Sequence, residues 1–287
     1  MKPPILPNFF IAGAPKSGTT SLSHYLDQHP EIYMSPVKEP NYFASEIRLE
    51  HFSERLRPRA EQDAAPLRAY LDGPMREKRF GGLITEWSDY LKLFRDAEGR
   101  KAIGEASVCY LWSESAAQNI FRSIPDARII LVLRNPVEMI FSMYLHTVRS
   151  LGRRHTFREA IEMGLEQRGG KIDFMHPFLD MGFYHQQVQR YLETFPQEHI
   201  RIYLYQEYEA QPEAMLADIF RFLDVDPAFA PDMSKRYLEA GEPDVIDPAD
   251  RAFLTEFYRD DVAKLGSLLK QANIRGHDGP ASGPFQN

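Results

Sequence analysis

The sequence predicts an α/β fold, a three-layer sandwich with a central parallel sheet. Three observations lead there. Short apolar runs bounded by Pro and Gly alternate with segments of helical spacing, the pattern of strand–helix–strand units. Arg128-Ile129-Ile130-Leu131-Val132-Leu133 is the clearest buried strand of the chain. Right-handed crossovers between parallel strands then put helices on both faces of the sheet.

Taken in order, Phe9 to Ala12 is a compact apolar run between Pro7 and Gly13 and reads as the first buried strand. Residues 19–28 read as a helix stopped near Pro30, and 32–34 as a second short strand ending before Pro36. Residues 47–80 are rich in Arg and Glu with scattered prolines, and helices and loops are expected there. Tyr90, Leu93 and Phe94 give 89–97 helical spacing, and Ala102-Ile103 begins another strand. After the 128–133 strand, Pro136 opens a helix at its first position, running to about residue 151. Helices follow at 156–167, 185–195, 212–223 and 248–272, with a strand at 200–205. Residues 1–275 form one domain. The tail 276–287, rich in Gly, Pro and Ser, is expected to be flexible.

Composition narrows the function. Of 287 residues, 43% are hydrophobic and 26% charged, which is globular, and the formal net charge of −7 speaks against bulk attraction to nucleic acid or an anionic membrane. An anionic ligand therefore needs a local site. No apolar run approaches the roughly 20 residues that span a bilayer. The run after Pro7 is too short and wrongly flanked for a signal peptide. Cys109 is the one cysteine, set among Val108, Tyr110 and Leu111, and reads as a buried small hydrophobe. Without an intrachain disulfide the chain suits a reducing cytoplasm. The oligomeric state is left open.

The loop Gly13-Ala14-Pro15-Lys16-Ser17-Gly18-Thr19-Thr20 lies between a strand and a helix. Glycines let backbone N–H groups turn around an anion, and the helix N-terminus favours negative charge. Lys16 adds a positive charge, and Thr19 and Thr20 add hydroxyl donors. The loop departs from the GxxxxGK[ST] signature of nucleoside triphosphatases, because Thr19 stands where that lysine belongs. Those enzymes also use an acidic residue at a strand end to help hold Mg²⁺. Here the 128–133 strand runs into Arg134 instead, whose planar fork suits phosphate. Ser142, two turns along the next helix, could add a donor. Two separate phosphate sites fit a nucleotide phosphorylated at both ends.

These motifs resemble those of sulfotransferases that use 3′-phosphoadenosine 5′-phosphosulfate (PAPS). Pro15-Lys16-Ser17-Gly18-Thr19-Thr20-Ser21-Leu22 resembles their 5′-phosphosulfate loop, and residues 128–142 resemble their 3′-phosphate motif, with Arg134 and Ser142 eight positions apart. Lys38-Glu39-Pro40-Asn41-Tyr42-Phe43 resembles a segment of bacterial and heparan-type carbohydrate sulfotransferases. Gly104-Glu105-Ala106-Ser107 and Pro248-Ala249-Asp250-Arg251 resemble further family segments.

The resemblance implies roles. Lys16 would stabilise charge on the leaving adenosine 3′,5′-bisphosphate, the N–H groups of Ser17, Gly18, Thr19, Thr20 and Ser21 would hold the 5′-phosphate, and Arg134 and Ser142 the 3′-phosphate, with no metal required. Glu39 would take the acceptor's proton. His146, four residues after Ser142, is the rival base and otherwise an acceptor contact, as is Asn41. Lys235 and Arg236 would close over the adenosine and 3′-phosphate. The acceptor would be a carbohydrate or small molecule bearing a hydroxyl or amine, its pocket shaped by residues 45–100. Ala106 stands where heparan-type enzymes often carry a lysine and Asn41 where they often carry a histidine, which argues against heparan itself. Two other functions compete: a P-loop kinase or nucleoside triphosphatase, and a non-catalytic nucleotide-binding module.

Overall fold

A computed structural model describes residues 3–54, 56–151, 155–166, 178–234, 245–272 and 285. Its elements in chain order are β1 (Phe9–Gly13), α1 (Thr19–Asp27), β2 (Ile32–Met34), β3 (Val37–Lys38), α2 (Arg57–Asp72), β4 (Arg79–Phe80), α3 (Trp87–Lys92), β5 (Ala102–Ala106), α4 (Cys109–Trp112), α5 (Ala116–Ser123), β6 (Arg128–Leu133), α6 (Pro136–Leu151), α7 (Phe157–Glu166), α8 (Tyr184–Thr194), β7 (Ile200–Leu204), α9 (Tyr205–Ala210), α10 (Pro212–Phe222) and α11 (Pro248–Ala272).

Five strands form a parallel sheet in the order β2-β5-β1-β6-β7. Side chains alternate across it, as the two-residue repeat of a strand demands. Phe10 and Ala12 of β1, with Ile129, Leu131 and Leu133 of β6, enter one core with α4, α5, α6, α8 and α11. Phe9, Ile11, Ile130 and Val132 enter the other, packed by Leu22 and Leu26 of α1 and Met215, Ile219 and Phe220 of α10. Both faces are covered, and a parallel sheet needs both covered because neither face can stay in water. The expected three-layer architecture is present.

The local expectations hold with identifiable exceptions. The helix expected over 89–97 is regular only from Trp87 to Lys92. Beyond it Phe94 and Ala97 donate to carbonyls three residues back, at 3.1 and 3.0 Å, so the chain continues as tight turns. The strand expected over 200–205 ends at Leu204, because Tyr205 opens α9. The pair β3–β4 forms a separate two-stranded parallel sheet, with Lys38 opposite Phe80. The tail from residue 276 lies outside the described residues apart from residue 285.

What matters for function is the middle of the sheet. The chain leaves β1 toward β2 on one side and later returns to place β6 on the other. Loops leaving the C-terminal ends of such strands diverge and open a crevice between them, the usual ligand position in open α/β sheets.

Candidate active site

The crevice beyond β1, β5 and β6 is a cleft of about 740 Å³. The β1–α1 loop forms its floor. Gly18 caps α1 with φ of 73°, a left-handed conformation that glycine adopts without strain. A Cβ there would lie 2.7 Å from Tyr208 Cε1 and 3.1 Å from Tyr205 Cε2, so the loop backbone presses against an aromatic wall. Lys16 also has positive φ, at 56°. Lys16, Gly18, Thr19, Thr20 and Ser21 all line the cleft. The first N–H groups of a helix have no partner within it, so α1 presents donors here. Ser17 is fully buried, and its hydroxyl donates to Pro15 O at 3.2 Å, building the loop from beneath.

Arg134 leaves the end of β6 and turns back over this loop. Its Nη1 donates to Lys16 O at 2.8 Å, and its guanidinium lies 4.6 Å from the Tyr205 ring centroid. Among the described residues it forms no ion pair, and the fork has donors beyond the one given to Lys16. Ser142 and His146 line the same cleft one turn apart on α6. His146 is exposed at the cleft mouth, and partial desolvation, with the Lys16 ammonium second, lowers its pKa and favours the neutral imidazole.

Glu39 follows β3 and is buried, with φ of 63°. Its N–H donates to Ala106 O at 2.8 Å, tying it to the end of β5. Oε1 accepts from Lys38 Nζ at 2.5 Å and Oε2 from the Val108 N–H at 2.9 Å. The carboxylate is thus fixed from two sides and still lines the cleft with Lys38. This is not the exposed surface pair that adjacent Lys and Glu usually make. Asn41 stands behind it rather than in the lining. Its Nδ2 donates to Glu39 O at 2.8 Å, while its Oδ1 accepts from Cys109 Sγ at 2.9 Å. Cys109 is buried as expected, and burial pushes its thiol well up. Lys235 and Arg236 lie outside the described residues.

A buried layer beneath Glu39 was not legible in the sequence as such. Glu105 is wholly buried. Its Oε1 accepts from Tyr110 OH at 2.7 Å and Tyr90 OH at 3.1 Å, and its Oε2 from Ser107 Oγ at 2.8 Å. Ser107 Oγ in turn accepts the Asn41 N–H at 3.2 Å, and Tyr110 OH accepts the Phe43 N–H at 3.3 Å. The segment carrying Glu39 is therefore pinned to β5 through one carboxyl. Burial outweighs the three hydroxyl donors and raises Glu105 to about 7. Tyr205 and Tyr208 were also missed. Their i, i+3 spacing directly after a strand end, where α/β ligands bind, was the available signal.

The sequence profile of the sulfotransferase family matches residues 7–230. The chain belongs to the sulfotransferase family. A solved sulfotransferase from Alicyclobacillus acidocaldarius is 34% identical to this chain, with a TM-score of 0.76, covering 93% of this chain and 96% of that one. The membrane-associated sulfotransferase kil1 of Dictyostelium discoideum is 22% identical over 93% of this chain and 66% of its own length. Human carbohydrate sulfotransferase 15 is 26% identical over 92% of this chain and 53% of its own. The chain thus spans only part of these two relatives. Among the described residues, no helix is long and apolar enough to cross a membrane.

Proposed function

We propose that the protein transfers the sulfuryl group of PAPS to a hydroxyl or amine of a small-molecule or carbohydrate acceptor, without a metal. The observation that carries this reading is the convergence, on one cleft, of Lys16, a helix N-terminus, Arg134 with Ser142, and a fixed carboxylate, Glu39. The tight approach of Gly18 to Tyr208 leaves the loop backbone free of a side chain, as a close-fitting phosphate requires.

The donor, when bound, supplies an electron-poor sulfuryl group and a bisphosphate leaving group. The protein's own part is positioning and charge stabilisation. Ser17 shapes the loop from below, and the N–H groups of residues 17–21 hold the 5′-phosphate. Lys16 faces the charge that builds on the leaving oxygen. Arg134 and Ser142 hold the 3′-phosphate, and Arg134 also braces Lys16 through its carbonyl. Glu39 takes the acceptor's proton, oriented by Val108 N–H and Lys38. Asn41 acts through Glu39, and Lys235 and Arg236, outside the described residues, are assigned to the adenosine and 3′-phosphate by the family resemblance. The sulfotransferase domain spans 1–275 and works in the cytoplasm, where the lone Cys109 stays reduced.

His146 is a second reading for the base, favoured by its lowered pKa beside Lys16. Parallel Glu39→Gln and His146→Asn variants separate the two, and the larger loss of turnover identifies the base. The donor reading is tested by calorimetric binding of adenosine 3′,5′-bisphosphate and of ATP, each with and without Mg²⁺. Metal-independent preference for the bisphosphate, lost in Arg134→Ala, is expected. Mg²⁺-dependent preference for ATP would overturn the reading in favour of a kinase.

A further inference from the structure

The side of the cleft beyond Glu39 carries an aromatic ring with no structural task that explains its exposure. Phe80 is 61% exposed, yet it lines the cleft. It is not a loose loop residue. Arg79 N–H donates to Pro36 O and Gly81 N–H to Lys38 O, both at 2.8 Å, so Phe80 is clamped on either side. The β3–β4 register sets it directly opposite Lys38. Residues opposite one another in a ladder project to the same face. Lys38 Nζ lies 5.0 Å from the ring centroid and 2.5 Å from Glu39 Oε1, so ring, ammonium and carboxylate stand in sequence along one wall. Beside the ring there is room, since a Cβ at Gly81 would meet nothing within 4 Å. Met143, on α6 next to Ser142, adds a half-buried thioether to the lining.

We propose that Phe80 is an acceptor platform and that the acceptor is an aryl alcohol. This rests on the sulfuryl-transfer reading and names its substrate class. The charge on this wall favours it. Among the described residues, Lys38 and Glu39 neutralise each other, and Lys16 and Arg134 are committed to the donor end, so a polyanion finds no cationic bed on this wall. Phe80, Met143 and Val108 give a flat ring apolar surface to lie on. A flat ring stacks on Phe80 and carries its hydroxyl toward Glu39. A phenolic hydroxyl, with a pKa near 10, also yields its proton to a carboxylate more readily than a sugar hydroxyl does. In the reaction the phenolic oxygen forms the new O–S bond as the donor's S–O bond breaks. That bond's electron pair leaves with the bisphosphate, and the phenolic proton passes to Glu39.

The test is calorimetric titration of protein saturated with adenosine 3′,5′-bisphosphate, using 4-nitrophenol and methyl glucoside as probes. Wild type is expected to bind 4-nitrophenol in preference to the glucoside. Phe80→Ala should weaken 4-nitrophenol by about 10-fold, the scale of a lost aromatic pair, and Phe80→Tyr should retain it. Bisphosphate affinity, measured separately, should be equal in all three proteins. Equal 4-nitrophenol binding by wild type and Phe80→Ala, preference for the glucoside, or no binding of 4-nitrophenol by wild type would each overturn the proposal. Failure of the bisphosphate to bind would count against the donor reading instead, and the same 4-nitrophenol titration without it would then judge Phe80.

Discussion

Replacing Glu105 by glutamine should change how stability responds to pH. The ordinary glutamate value of 4.5 is raised to about 7 here because the carboxyl is wholly buried. The folded protein therefore holds a proton that the unfolded chain has released between those two values. Stability tied to that proton is fully present below pH 4.5 and is lost as pH rises through about 7. At about 1.4 kcal/mol per unit, the shift corresponds to roughly 3–4 kcal/mol, most of it between pH 5 and pH 8. Glutamine keeps an acceptor for Tyr110 and Tyr90 and can donate to Ser107 Oγ, but it does not titrate. Urea unfolding of both proteins at pH 5, 6, 7 and 8 gives the comparison. The stability of wild type minus that of the variant should fall by roughly 2–3 kcal/mol across the range. A difference that stays constant with pH would show that the buried hydroxyls, and not burial, govern this carboxyl.

Three further outcomes follow from the cleft. Lys16→Ala should lower turnover by about 100-fold while changing bisphosphate affinity much less, because its main interaction develops in the transition state; single-turnover kinetics beside calorimetry reads both. Glu39→Gln should leave bisphosphate binding intact and lower turnover by roughly 100-fold or more, as loss of a general base does, and wild-type turnover would exclude it as the base. Gly18→Ala forces a Cβ to within 2.7 Å of Tyr208 and into a left-handed backbone, costing about 1–2 kcal/mol in strain alone, so both thermal stability and bisphosphate affinity should drop.

The sequence revealed the long elements because burial on both faces leaves an unmistakable apolar run, as in Phe9–Gly13 and Arg128–Leu133. It revealed the loop around Lys16 because glycine, lysine and hydroxyl residues converge where a strand meets a helix. It did not reveal β3 and β4, since two residues cannot show a period, and so the placement of Phe80 opposite Lys38 stayed hidden. Nor did it reveal the work of Glu105, Ser107, Tyr90 and Tyr110. Each is a polar side chain in an apolar neighbourhood, and only the approach of β5 to the Glu39 segment turns them into one network. Asn41 illustrates the same point. Its position beside Glu39 suggested an acceptor contact, while its amide is bonded to Glu39 O and the Cys109 thiol.

The strand order has a kinetic consequence. Arg134 grips a carbonyl 118 residues earlier in the chain, and Glu39 is held by an N–H 69 residues later. Such distant contacts form slowly, because loop closure must come before they can be made. The cleft is complete only once β1 is flanked by both β5 and β6. A ligand that binds only the assembled cleft therefore pulls the whole domain toward its native state.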